Sequence, residues 1–172
     1  MAKKQPPSVH SNFLKAARDG DFDGVRHYFE EGASLSARDE QGRTAMHIAA
    51  ERGFSKTIEL LVELGADINA RDNNMETPLH RAVRQSSFSS DVSALLILHG
   101  ADITLRNRFN ETPFNIVKQE NQLKQVLRGA WLSALQKNPI NVETALDRDV
   151  DVLPPMTVIK RRNSSDTPPA AP

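Results

Sequence analysis

Between Leu79 and Asp91 the chain reads LHRAVRQSSFSSD, which places a histidine, four serines and an aspartate within thirteen residues. These are the residue types of a nucleophilic hydrolase: a base, a hydroxyl nucleophile and a carboxylate that orients the base. Such a set acts through geometry in the fold and not through closeness in sequence, so the elements that position it come first. A second histidine, His47, lies 33 residues before His80, and no carboxylate recurs with the pair at a spacing that completes a zinc site. His10, His27 and His99 are scattered. No glycine-rich phosphate loop, nucleophile elbow or HExxH is present.

Composition narrows the function classes. Lysine plus arginine and aspartate plus glutamate each number 22, so there is no global field to recruit nucleic acid or an anionic membrane, and electrostatic recognition must be local. Cysteine is absent, which removes disulfides, thiolate metal sites and thiol nucleophiles and fits a reducing compartment. The opening MAKKQPPSVHSN has no apolar segment behind its lysines, and no apolar run approaches a bilayer span. The expectation is a cytoplasmic monomer with no cofactor and no membrane contact; delivery into a host cell without a signal peptide is the alternative.

Two markers repeat in phase. Thr44, Thr77 and Thr112 are spaced by 33 and then 35 residues, and so are Gly32, Gly65 and Gly100. Thr77–Pro78 and Thr112–Pro113 each read as a helix N-cap followed by proline at the first helical position, where its missing N–H costs nothing. The amphipathic runs TIELLVEL and VSALLILH end near Gly65 and Gly100, as helices ending on a left-handed glycine do. Each unit is therefore two short antiparallel helices joined to the next by a turn-rich link. A unit so short completes its core only by stacking on its neighbours.

The 33-residue period, TPLH at Thr77 to His80, TAMH at Thr44 to His47 and GADIN at Gly65 to Asn69 resemble the ankyrin repeat. The resemblance implies an all-α solenoid of antiparallel helix pairs with β-hairpin-like finger loops, and a structural role for His47 and His80. About four repeats are expected within residues 11–148 (11–39, 40–72, 73–107 and 108–148), the outer two being degenerate caps. Residues 1–10 and the proline-rich 149–172 are expected to be disordered. Leu123 opens a long terminal helix with Trp131 half-buried. Arg81, where Ile48 and Ile116 stand in other repeats, implies a wetter helix face or a snorkelling charge. Ser90 or Asp91 is expected to cap the helix after the lengthened turn, whose Phe88 either fills the place of Phe54 or is a contact point.

Finger tips and the exposed part of the first helix usually carry partner binding in this family. Mapped onto this chain, they are Arg38, Glu40, Gln41, Arg43, Arg52, Arg71, Asn73, Asn74, Glu76, Arg84, Arg106, Arg108, Phe109 and Glu111. Arg38, Arg71 and Arg106 recur in register as a guanidinium ladder, suited to a protein surface rich in acids or aromatics; alternatively each arginine pairs with a neighbouring acid of its own turn. The sequence thus reads as a non-enzymatic adaptor or regulator. Two other readings are a translocated bacterial effector acting on host proteins and a nucleic-acid-associated regulator using KRR in the tail. Asn69 resembles the asparagine hydroxylation sites of animal ankyrin proteins, and Ser164 and Ser165, after Arg161 and Arg162, resemble a basic-directed kinase site.

Overall fold

The computed structural model describes residues 8–85, 89–117, 124–129 and 132, all within the unit Met1–Pro139. Seven helices are assigned among them: α1 (Val9–Asp19), α2 (Phe22–Glu30), α3 (Ala45–Arg52), α4 (Ser55–Glu63), α5 (Pro78–Arg84), α6 (Ser89–Leu98) and α7 (Pro113–Ile116). Residues 124–129 are also helical. The expected positions Phe88, Trp131, Ser164 and Ser165 lie outside the described residues.

The helices form two rows. In the inner row α1, α3, α5 and α7 pack in sequence, and in the outer row α2, α4 and α6 do so, each inner helix also packing on the outer helix of its own repeat where both are described. Close approach is possible because Ala16, Ala17, Ala49, Ala50 and Ala82 are buried where the inner helices meet. Phe13, Met46, Ile48, Ile58, Leu61, Leu79 and Leu96 fill the remaining space, and Leu127 closes the far end of the same cluster.

Each outer helix ends in the same way. The amide of Ala33, Ala66 or Ala101 donates to the carbonyl of Tyr28, Leu61 or Leu96, across a glycine (Gly32, Gly65 or Gly100) at φ +95°, +86° or +94°. This six-to-one bond absorbs an orphan carbonyl and turns the chain toward the next finger.

Two boundaries differ from the sequence expectation. Helix α1 begins at Val9, inside the segment expected to be disordered, because Ser8 Oγ accepts the Ser11 N–H at 3.2 Å and caps one further turn. Helix α6 begins at Ser89, so Ser90 and Asp91 lie in its first turn and not ahead of it.

Candidate partner-binding face

Three links between repeats fold into the same turn. In the first finger, Asp39 Oδ1 accepts the Gln41 and Arg43 N–H groups at 3.0 and 2.9 Å. Asp72 does the same for Asn74 and Glu76 at 2.8 and 3.0 Å, and Asn107 for Phe109 and Glu111, both at 2.9 Å. A short side chain with an oxygen three bonds from Cα can bridge its own turn in this way, which is why Asp or Asn stands at the head of each finger. The fingers are closed by Asp39 N to Arg43 O, Asp72 N to Glu76 O and Asn107 N to Glu111 O, all 3.0 Å. They also join one another: Asn73 N donates to Gln41 O at 3.0 Å and Arg108 N to Asn74 O at 2.8 Å.

The histidines clasp adjacent repeats. His47 Nδ1 accepts the Thr44 N–H at 3.2 Å, while its Nε2 lies 3.0 Å from the Glu76 carbonyl of the next repeat. His80 repeats this with Thr77 N at 3.1 Å and the Glu111 carbonyl at 3.1 Å. A carbonyl oxygen only accepts, so Nε2 carries the proton and both rings are neutral Nε2–H tautomers. Burial lowers the pKa of both, and the facing carbonyl oxygens with nearby Asp72 or Glu76 offset only part of it. With both nitrogens committed and no surface exposed, His80 has no lone pair with which to serve as a base toward the neighbouring serines. In the last repeat Asn115 takes this column, and Thr112 caps its N–H at 3.3 Å.

Carbonyl oxygens hold two of the three ladder arginines. Arg38 Nη1 donates to the carbonyls of Gly42 at 2.8 Å and Arg71 at 2.6 Å, tying its own finger to the next, and Arg106 Nη1 donates to Asn110 O at 2.8 Å. The Arg71 guanidinium makes no hydrogen bond or ion pair among the described residues. Arg108, outside the ladder, donates from Nη2 to Asn73 O at 2.9 Å. Carbonyl oxygens orient a guanidinium without cancelling its charge, so Arg38 and Arg108 present fixed positive groups.

Carboxylates are engaged on a second line of residues. Arg43 pairs with Asp39 at 2.9 Å and with Glu51 at 2.6 Å. Arg81 donates from Nε to Asp72 Oδ2 at 3.1 Å and lies 3.0 Å from Glu76 Oε2; Arg84 reaches Glu76 at 2.6 Å and Glu111 at 3.7 Å. Two expectations are corrected here. Glu76, placed at an exposed tip from the sequence, is 3% exposed because two guanidinium groups and the finger turn enclose it. Arg81 neither wets its helix face nor snorkels; its side chain is 17% exposed and forks between two carboxylates of the finger that precedes its helix. Burial would raise the Asp72 pKa, yet the Arg81 bond and the Glu76 and Asn74 N–H groups outweigh it and hold the carboxyl below 3.8. For Asp39, the Arg43 N–H and guanidinium likewise outweigh burial.

A family model described as ankyrin repeats, in three copies, matches residues 13–127. The chain belongs to the ankyrin-repeat family. Ankyrin repeats are in general protein–protein interaction modules. Among curated proteins, ankyrin repeat domain-containing protein 63 of Homo sapiens and that of Mus musculus are each 49% identical over 39 residues, 23% of this chain and 10% of the relative. Serine/threonine-protein kinase 12 of Arabidopsis thaliana is 31% identical over 72 residues, covering 33% of this chain and 16% of the kinase. The chain thus spans a small fraction of the length of the relatives it matches.

On this ankyrin-repeat scaffold, Glu40, Gln41, Arg52, Asn73 and Arg108 are exposed, while Arg43, Asn74, Arg106 and Glu111 are half-buried. Phe109, at the third tip, is 66% exposed, and Met75, in the second finger, is 43% exposed. The Arg108 N–H to Asn74 carbonyl bond joins the two turns that carry them. No helix among the described residues is long and apolar enough to cross a membrane, and no cluster of His, Asp and Glu among them is arranged to hold a metal ion.

Proposed function

We propose that this chain is a non-enzymatic protein-binding module, and that its finger tips and inner-helix face take a protein partner with an acidic or aromatic-bearing surface. The observation that carries the reading is Phe109. A large aromatic ring stands 66% exposed on a turn whose backbone is pinned by Asn107 and bonded to the preceding finger, so it is presented in a fixed position. Preorganised aromatic side chains beside arginine are the usual anchors of protein interfaces. Arg108, next to Phe109 in the chain, donates to a carbonyl of the preceding finger, so its positive charge stands beside the aromatic residue without cancellation.

The polar groups that could do acid–base work are instead spent within the scaffold. His47 and His80 join repeats, and Asp39, Asp72 and Glu76 are held by arginines. The test is site-specific photo-crosslinking in the native cell, with a photoreactive phenylalanine analogue at Phe109 or at Leu98. Leu98 is more exposed, at 79%, but ends an outer-row helix. A discrete crosslinked protein from position 109 and none from 98 is expected. Equal yields from both positions would count against the finger face.

A further inference from the structure

Helix α1 and the first finger enclose a groove of about 760 Å³, within the range of ligand clefts. It exists because α1 starts a turn early: the extra turn stands beside the first finger region, where His10 Nδ1 accepts the Ser34 N–H at 3.3 Å. Leu14 and Ala37 supply apolar lining, and three cations (Lys15, Arg18 and Arg38) and two carboxylates (Asp39 and Glu40) supply charge. Lys15 occupies the repeat position of Ile48, which is 2% exposed in the interior of the stack, so the terminal repeat offers a cation where the next repeat is closed by an aliphatic side chain.

The charges do not cancel. Lys15 makes no ion pair among the described residues, and Arg38 is held by two carbonyl oxygens. Arg18 reaches Asp39 only at 3.7 Å, while Asp39 is already gripped by Arg43 at 2.9 Å. Glu40 is exposed and its carboxylate has no partner among the described residues. We propose that this groove binds an acidic linear peptide segment of the protein partner, with Lys15 and Arg38 receiving its carboxylates and Leu14 and Ala37 an aliphatic side chain. This rests on the protein-binding reading above and gives that partner a second, separate anchor. Glu40 can accept a peptide N–H, a donor that a bare polyanion does not offer.

The test uses the full chain and a labelled ELDELD peptide, with QLNQLN as the neutral counterpart, in fluorescence anisotropy at low salt. ELDELD is expected to bind, QLNQLN not, and Lys15→Glu is expected to weaken binding by roughly tenfold. Lys56→Glu on α4 makes the same change in net charge on an exposed side chain and is expected to leave binding within about twofold. Lys15 is exposed, so its variant keeps the wild-type melting temperature; Lys15→Ala with Arg18→Gln provides a second loss of charge without reversal. The proposal is overturned if ELDELD does not bind, if QLNQLN binds equally, or if Lys56→Glu costs as much as Lys15→Glu. Failure here with crosslinking at Phe109 intact removes the groove alone, whereas groove binding without that crosslink removes the finger reading alone.

Discussion

Arg81 stands in a column that is aliphatic in the flanking repeats, and its guanidinium is the partner of two carboxylates that have little access to water. Replacing it with leucine would restore the column's usual residue, yet it would leave Asp72 with backbone N–H groups but no counter-charge, and Glu76 with Arg84 alone as its cation. Breaking a buried pair from one side costs about 3–5 kcal/mol, so Arg81→Leu is expected to lower the urea midpoint sharply. A variant of unchanged or raised stability would mean that the charge is carried by solvent. His80→Leu orphans the buried Thr77 N–H, at about 1–3 kcal/mol, and leaves the Glu111 carbonyl with the Asn107 N–H alone. The histidines also set a pH dependence. Their folded pKa values lie below the ordinary 6.5, so the unfolded chain binds protons first; their stabilisation is complete above about 6.5 and is lost as pH falls from there toward the folded values. Asp39 and Asp72 are held below 3.8, so their contribution is present above that value and disappears under stronger acid. Urea midpoints are expected to be level from about pH 8 to 7 and to decline as the pH falls below about 6.5.

At the scale of the elements, the fingers carry one left-handed residue each: Gly42 at φ +75°, Met75 at +60° and Asn110 at +62°. Glycine and asparagine tolerate this region, whereas a methionine there is strained by about 1 kcal/mol. Met75→Gly is therefore expected to raise stability by up to about 1 kcal/mol, and Gly42→Ala to lower it by more, because its Cβ would stand 2.3 Å from Asn73 Oδ1. A chemical-denaturation series on the two variants reads both signs. The helix pairs were legible because their signals are local: a threonine cap, a proline at the first turn and a glycine after the last each act within four residues. The finger turns were half legible, since Asp39 and Asp72 could be assigned to turn backbone but Asn107 and the bonds between fingers could not. The extra turn of α1 was missed, although Pro7 followed by Ser8 is a stop-then-cap signal. The carboxylate line was missed because Arg81 and Asp72 are nine residues apart and meet only when the finger folds back over its own helix. A clue lay in one repeat carrying Asp72, Glu76, Arg81 and Arg84 together, two acids followed by two bases across a turn.

Across the whole stack, a chain with no net charge sorts its charges by partner. Carboxylates are matched by Arg43 at the end of the first finger and by Arg81 and Arg84 on α5, while Arg38 and Arg108 are held at the fingers by carbonyl oxygens. The result is a scaffold cross-tied between repeats by His47, His80 and Arg38, with uncompensated guanidinium groups beside an exposed Phe109. The same residue type thus neutralises carboxylates in one column and keeps its charge on carbonyl oxygens in another. The central claim, recognition through the fingers, is tested most directly by quantitative affinity capture from the native cell lysate, comparing the wild-type chain with the Phe109→Ala, Arg71→Glu double variant at matched melting temperature. The account predicts an unchanged melting temperature and loss of most of the specifically retained protein; retention of the same proteins in the same amounts by the double variant would contradict it.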